Sequence, residues 1–193
     1  MDIVAFKDCS DIYTPYVMKI FNRYKRYFLY IKSVNWCFVN EPDNGILAVC
    51  AQANNQIRIN METFLKFLWD NRNIEIEYLL LHEVRHIFQH EEISRLKSGL
   101  ETICDPEYAE TWEYETSHYE KALDENGKEN PKYFQQDCEK DAFIFAFAIM
   151  KYVHKIKKED LYSASIYGKD FDEDVEGFID KFRMIDHTEK TSK

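Results

Sequence analysis

The segment His82-Glu83-Val84-Arg85-His86 constrains this chain more than any other, because two histidines four positions apart enclose a glutamate. On an α-helix with 3.6 residues per turn, positions 82, 83 and 86 share one face, so both imidazoles can reach one metal ion. Glu83 then stands beside the position of a metal-bound water. This spacing is typical of zinc peptidases, and it predicts His82 and His86 as metal ligands on a helix.

A third ligand has to come from elsewhere in the chain, because a catalytic zinc ion usually takes three protein ligands and keeps one open position. The strongest candidate is Glu139, which opens a second strongly helical segment, residues 137–153. Asp141 is the alternative, but it points to a different side of that helix, so the two acids are not expected to bind together. His90 lies four residues after His86, yet three ligands along one straight helix diverge too far for a tetrahedral centre. We therefore predict one Zn²⁺ per chain with Glu139 as its third ligand.

This ligand set predicts a hydrolytic mechanism in which Glu83 is the general base. Glu83 would take a proton from a water activated by the metal and return it to the leaving amine. The oxyanion needs a further donor, and the sequence leaves four candidates open: Tyr108, Tyr114, His118 and Tyr119. An extended peptide could pair with the strand at Ile57–Asn60 if that strand forms a sheet edge.

The remaining pattern predicts an α+β fold that is mostly helical. Apolar residues recur at spacings of three and four in residues 11–31, 61–69 and 175–182. Alternating or short apolar runs predict three strands, at residues 34–38, 46–51 and 56–60. We expect a small antiparallel sheet whose first two strands form a hairpin around Asp43-Asn44-Gly45. The sheet should pack against the motif helix, which is expected to run from about Asn73 to His90, and against the helix that carries Glu139.

The chain of 193 residues contains no Pro/Gly/Ser-rich linker, so one domain is expected over residues 1–193. Residues 91–136 interrupt the pattern, because they are acidic and aromatic and show no sustained period. They also contain Pro106, Gly127 and Pro131. We expect an irregular insertion with short helical pieces that is either mobile or serves as a lid.

Charge and cysteine usage limit the partners and the compartment. A net charge of -10 disfavours direct binding to nucleic acid or to anionic membranes. No apolar run reaches membrane-spanning length, and the N-terminus lacks the pattern of a secretory signal, so a cytoplasmic protein is expected. The five cysteines are scattered and form no CxxC pair, which predicts reduced thiols. Cys37 and Cys50 are expected to be small core residues rather than ligands.

Two motifs together resemble those of the ImmA/IrrE-type zincin-like metallopeptidases of bacteria and mobile elements, which are minimal gluzincins. The family carries HE-x-x-H and, later, E-x-[DE]-A-[ND]-x-F-A; this chain has residues 82–86 and then Glu139-Lys140-Asp141-Ala142-Phe143-Ile144-Phe145-Ala146. The resemblance implies a zincin-like organisation over about residues 34–153, with Glu139 as a ligand and Asp141 as a supporting residue. It also implies a protein or peptide substrate, which in some members is a repressor partner and here could be a helix-turn-helix repressor.

One position departs from the family pattern. Asn or Asp usually follows the ligand glutamate by four residues, where it can orient a metal-bound histidine through a hydrogen bond. This chain has Phe143, which we expect in the core. Either Asp141 or another acid replaces the missing support, or the metal site is weakened. Two functions therefore stay open: a zinc peptidase that uses Glu83, and a non-catalytic zincin-like domain that binds metal and regulates or interacts.

Overall fold

The computed structural model of the chain describes residues 3–28, 30–31, 33–42, 45–51, 55–124 and 126–191. Asp43 and Asn44 of the predicted turn lie outside these residues. The helices are α1 (Ile3–Tyr24), α2 (Met61–Trp69), α3 (Asn73–Lys97), α4 (Pro106–Ser117), α5 (Asp137–His154), α6 (Tyr162–Ser165) and α7 (Lys169–Thr191). The strands are β1 (Asn35–Val39), β2 (Ala48–Ala51) and β3 (Gln56–Asn60). The prediction of a mostly helical α+β fold is confirmed.

The sheet is mixed, so the prediction of an antiparallel sheet with a hairpin of its first two strands is wrong. β3 lies in the middle, parallel to β1 and antiparallel to β2. Ile57 and Ile59 of β3 are completely buried, and burial on this scale favours the central position. The segment between β1 and β2 is long enough to carry the chain past β3. Ile57–Asn60 is consequently not an edge strand, and β2 lies at the edge instead.

The motif helix α3 forms the centre of the fold and packs on α5, β2 and β3. It extends to Lys97, beyond the predicted end near His90, because its last turns are also buried. The Glu92 side chain is completely buried there and accepts hydrogen bonds from the backbone N–H groups of Ile103 and Cys104. These bonds fold the chain back at the end of the helix.

Small residues bring α5 close to α3. Ala142 and Ala146 lie one turn apart on α5, and both are completely buried. Helix axes can approach more closely where the side chains at the contact are small. Glu139 lies one turn before Ala142 and therefore enters the same interface, facing α3.

The region of residues 91–136 is more ordered than its pattern predicts, because it contains the three-turn helix α4. Only Ala109 and Trp112 of this helix are buried, which is too few apolar positions to show a helical period in the sequence. The Glu115 carboxylate accepts hydrogen bonds from the first backbone N–H groups of α5, those of Asp137 and Cys138, at 2.8 Å each. Helix α4 therefore fixes the start of the helix that carries Glu139. Within the described ranges, no helix combines the length and apolar character needed to cross a bilayer.

Candidate metal centre

His82, His86 and Glu139 converge at the interface of α3 and α5. The Nε2 atoms of the two histidines lie 2.9 Å apart. Glu139 Oε2 lies 3.1 Å from His82 Nε2, and Glu139 Oε1 lies 3.5 Å from His86 Nε2. Two nitrogen ligands of a tetrahedral zinc ion are separated by about 3.3 Å. The structure thus brings the three sequence-predicted ligands to the mutual spacing of a metal centre.

The burial of this group shows that its residues fit a cation. Glu139 is completely buried, and its Oε2 atom makes no hydrogen bond with any described residue. A buried carboxylate is costly unless a positive charge or hydrogen bonds compensate it. Although burial opposes its ionisation, the charge of His86 holds the pKa of Glu139 well below its usual range. Two imidazoles and a carboxylate suit Zn²⁺ and also other first-row transition metals.

Asp141, the alternative third ligand, points away from this group. Its carboxylate binds the Arg85 guanidinium through two hydrogen bonds, 2.8 Å from Nε and 3.1 Å from the terminal nitrogen. Arg85 in turn lies over the rings of Phe88 and Phe145, at 4.2 and 5.4 Å from their centroids. Asp141 is therefore held in a structural ion pair between α3 and α5.

Gln89 connects this ion pair to the metal centre. Its Oε1 atom lies 2.7 Å from His86 Nδ1, and its Nε2 donates to Asp141 Oδ2 and to the Cys138 carbonyl, both at 2.8 Å. The Gln89 amide nitrogen donates to two acceptors on α5, so the amide oxygen faces the imidazole of His86. His86 Nδ1 must therefore carry a proton, which it donates to that oxygen. The Nε2 lone pair of His86 is then directed at the centre. This role of Gln89 was not predicted from the sequence. The signal that could have indicated it is the spacing of three residues from His86, which places Gln89 on the same side of α3.

We expect Gln89→Met, which keeps the shape of the side chain but removes the acceptor, to weaken metal binding about 10- to 100-fold. Competition with a chromophoric chelator measures the affinity. The exposed Gln135 serves as the matched control, and Gln135→Met should bind as the wild type does. Equal affinity of the two variants would show that Gln89 does not orient His86.

His82 is oriented by packing rather than by a hydrogen bond. The Phe143 ring lies against its imidazole, with the centroids 4.1 Å apart. His82 Nδ1 is buried and has no hydrogen-bond partner among the described residues. Phe143 is thus in the core as expected, and it covers the imidazole of His82. Asp141 supports His86 through the hydrogen bonds of Gln89. No described residue supports His82 in the same way.

Glu83 stands beside the three ligands, almost completely buried. Burial raises the pKa of its carboxyl to about 8, although the charge of His86 and a hydrogen bond from the Cys50 backbone act in the opposite direction. The carboxyl can therefore exist in either protonation state near neutral pH. A group with this property is suited to accept and release a proton in the same reaction cycle.

The pKa values of the two histidines are shifted in opposite directions. Burial lowers the pKa of His82. Burial acts on His86 in the same direction, but the Glu139 carboxylate outweighs it and raises the pKa of His86 to about 9. His86 is therefore protonated at neutral pH, and its proton must leave before a metal can bind.

Metal affinity should consequently increase with pH, because binding releases at least the His86 proton. Below a pKa of about 9 the expected slope is roughly tenfold in apparent affinity for each pH unit. Chelator competition at several values between about pH 6 and about pH 8 measures this slope. An affinity that is constant over this range would contradict a protonated His86 in the metal-free protein.

A cleft of about 600 Å³ opens onto Glu83, His86 and Glu139. One wall is the edge strand β2, and the other is the segment that follows α4. Of the four predicted oxyanion donors, Tyr119 lines this cleft, and its hydroxyl donates to Glu139 Oε1 at 2.8 Å. Tyr108, Tyr114 and His118 lie outside it, with Tyr108 stacked on Trp112 and the other two stacked on each other.

Tyr133 also lines the cleft, and sequence reasoning did not single it out. It lies in a short 3₁₀ turn immediately before α5, where no motif marks it. Burial and the nearby Glu139 carboxylate raise the pKa values of both Tyr119 and Tyr133, so both phenols remain protonated at neutral pH. The cleft therefore contains two hydroxyl donors beside the centre.

Comparisons of the chain with protein-family models, with curated proteins and with solved structures find no match. The function therefore has to be inferred from the residues of the cleft and the chemistry that they allow.

Proposed function

We propose that this protein is a zinc-dependent metallopeptidase with a zincin-like fold that hydrolyses peptide bonds of a protein substrate. The observation that carries the proposal is the convergence of His82, His86 and Glu139 next to Glu83, in a cleft large enough for a peptide segment. Zinc held by these three ligands would supply Lewis acidity, lowering the pKa of a water and polarising a carbonyl group. A metal site with only a structural role has no use for a buried acid at position 83.

The role of Glu83 is to move a proton. A carboxyl whose pKa is raised to about 8 can take a proton from the attacking water and can also release it to the leaving amine. The hydrogen bond from the Cys50 backbone connects the carboxylate to β2, so its position depends on the strand as well as on α3. This arrangement supports Glu83 as base and then acid.

Tyr119 and Tyr133 are the proposed donors to the oxygen on which negative charge develops. Both line the cleft beside Glu139, and both keep their phenolic protons at neutral pH. Preorganised donors of this kind stabilise a developing oxyanion more than a neutral carbonyl oxygen. Tyr119, whose hydroxyl donates to Glu139, would have to turn from that carboxylate toward the substrate.

An extended peptide would bind along β2. This strand lies at the sheet edge, and Ala48, Val49 and Cys50 line the cleft. Val49 is 45% exposed, so its side chain is accessible to a peptide in the cleft. Edge strands bind extended peptides through free backbone donors and acceptors. A regulatory protein such as a helix-turn-helix repressor is the substrate that the family resemblance suggests.

One observation favours a second candidate, a zincin-like domain that binds metal and interacts with a partner without cleaving it. His82 Nδ1 has no hydrogen-bond partner among the described residues, because Phe143 packs where an orienting side chain would stand. Such partners typically contribute 10- to 100-fold to metal affinity or activity. A site without one binds metal less tightly, which suits a regulatory role better than rapid turnover.

A proteome-derived peptide library, digested by the zinc-loaded protein and analysed by mass spectrometry, distinguishes the two candidates. The peptidase should generate new peptide ends that are absent after digestion with Glu83→Gln. Removal of the metal by a chelator should abolish the same cleavages, and added Zn²⁺ should restore them. Identical peptide ends for wild type and Glu83→Gln would refute the peptidase proposal.

A further inference from the structure

A cysteine and a histidine face each other in the cleft, outside the three-ligand group. Cys50 Sγ on β2 lies 3.7 Å from His90 Nδ1 on α3. Both residues line the same cleft as Glu83. Cys50 is partly buried and packs against the core, as expected, and it also lines the cleft. His90, which lies too far along α3 to join His82 and His86, has a different neighbour.

We propose that Cys50 and His90 form a second, weaker metal site for a thiophilic divalent cation such as Zn²⁺ or Cd²⁺. A tetrahedral zinc ion bound to one thiolate and one imidazole separates the sulfur from the nitrogen by about 3.6 Å. The observed separation of 3.7 Å is already that of the two ligand atoms. A cation can therefore be bound without rearrangement of α3 or β2.

The state of the two side chains agrees with this chemistry. Burial lowers the pKa of His90 to about 4, so its imidazole is neutral at neutral pH and carries a lone pair. Burial, together with the charge of Glu83, raises the pKa of the Cys50 thiol, so the sulfur keeps its proton until a metal displaces it. On binding, the thiol releases its proton to solvent and the sulfur binds as the thiolate.

The second site should bind more weakly than the first, because it offers two protein ligands where the first offers three. Solvent would complete its coordination. Thiolate and imidazole together favour zinc, cadmium and other soft cations over magnesium or calcium. The ligand therefore belongs to the class of soft divalent cations. Measurement has to identify which of these metals binds.

Occupation of the second site would regulate the first. Cys50 lines the cleft beside Glu83, and its backbone donates a hydrogen bond to that carboxylate. A cation held at Cys50 and His90 would obstruct a peptide along β2, and its charge would lower the pKa of Glu83 and so weaken that carboxylate as a base. Inhibition by excess zinc rests on the proposed peptidase function, whereas the binding of a second cation does not.

Titration of the full-length protein with Cd²⁺ tests the binding, because a cadmium–thiolate bond has an ultraviolet absorption band. The wild type should bind a first equivalent without this band and a second, weaker equivalent with it. Cys50→Ser and His90→Gln should keep the first equivalent and lose the second. Cys37→Ser is the matched control, since Cys37 is a partly buried cysteine on β1 that does not line the cleft, and it should keep both.

Retention of the first equivalent in each variant shows that the variant is folded, so the loss of the second is interpretable. A wild type without the thiolate band, or a band that persists in Cys50→Ser, would overturn the site. Full binding of the second equivalent by His90→Gln would overturn the pairing with His90. If the wild type cleaves peptides, excess Zn²⁺ should inhibit it and spare His90→Gln. Equal inhibition of both would overturn the regulatory consequence, and a wild type without activity would count against the peptidase proposal alone.

Discussion

The wild-type protein is expected to hold about one metal ion per chain, and alanine at position 82, 86 or 139 is expected to remove it. Each substitution leaves two of three ligands, and His82 and Glu139 are buried where solvent cannot easily replace the lost atom. The loss in affinity should exceed the roughly 100-fold that follows from losing a supporting hydrogen bond. Elemental analysis of the purified proteins measures the metal content directly.

Asp137→Asn is the matched control for Glu139→Ala, because Asp137 is an exposed acid in the first turn of the same helix and does not line the cleft. This variant should retain about one metal ion per chain. Circular dichroism establishes that each variant keeps its helices. Full metal content in Glu139→Ala would reject Glu139 as the third ligand, and a wild type that binds no metal would reject the centre itself.

Glu83→Gln is expected to retain the metal and to lose about 100- to 10,000-fold in the rate of peptide hydrolysis. Glutamine has the shape of glutamate but cannot accept the proton of the attacking water, and Glu83 is not among the three ligand residues. Glu83→Gln should therefore keep its metal and lose cleavage. The alanine variants at positions 82, 86 and 139 should lose both. The initial rate on a peptide identified in the library digest is the quantity to measure.

Glu91→Gln provides the comparison for this experiment, because Glu91 is a partly buried carboxylate of the same helix that accepts a hydrogen bond from Asn55 at 2.8 Å. Its activity should equal that of the wild type. Equal rates for wild type and Glu83→Gln on a cleaved peptide would exclude Glu83 as the base. A metal-loaded wild type that cleaves no peptide would favour the regulatory domain.

The candidate site could be predicted from the sequence where the geometry is local. His82, Glu83 and His86 lie on one face because a helix repeats every 3.6 residues, whatever surrounds it. Glu139 was separated from Asp141 by the same argument, since two residues along a helix diverge in direction. The predicted ligands converge in the structure because α5 packs on α3 and brings Glu139 to the two histidines.

The sheet could be predicted only in part. A period of two residues identifies a strand, but the identity of its neighbour depends on which apolar face is buried deepest. Ile57–Asn60 was expected at the edge, and it lies in the middle because Ile57 and Ile59 are completely buried. The edge next to the metal centre is β2, and the proposed peptide-binding strand changed with it.

The sequence by itself determined the chemistry that is available: two imidazoles and a carboxylate for a metal, an acid for proton transfer, and mostly helical segments to carry them. Only the tertiary structure decided how these groups are supported. Gln89 directs His86, Phe143 covers His82, and Cys50 reaches His90 across the cleft. Two of these contacts join elements that are distant in the chain, and the third depends on a rotamer that α5 fixes. Helical spacing acts over a single turn, whereas such contacts exist only after the whole core has packed.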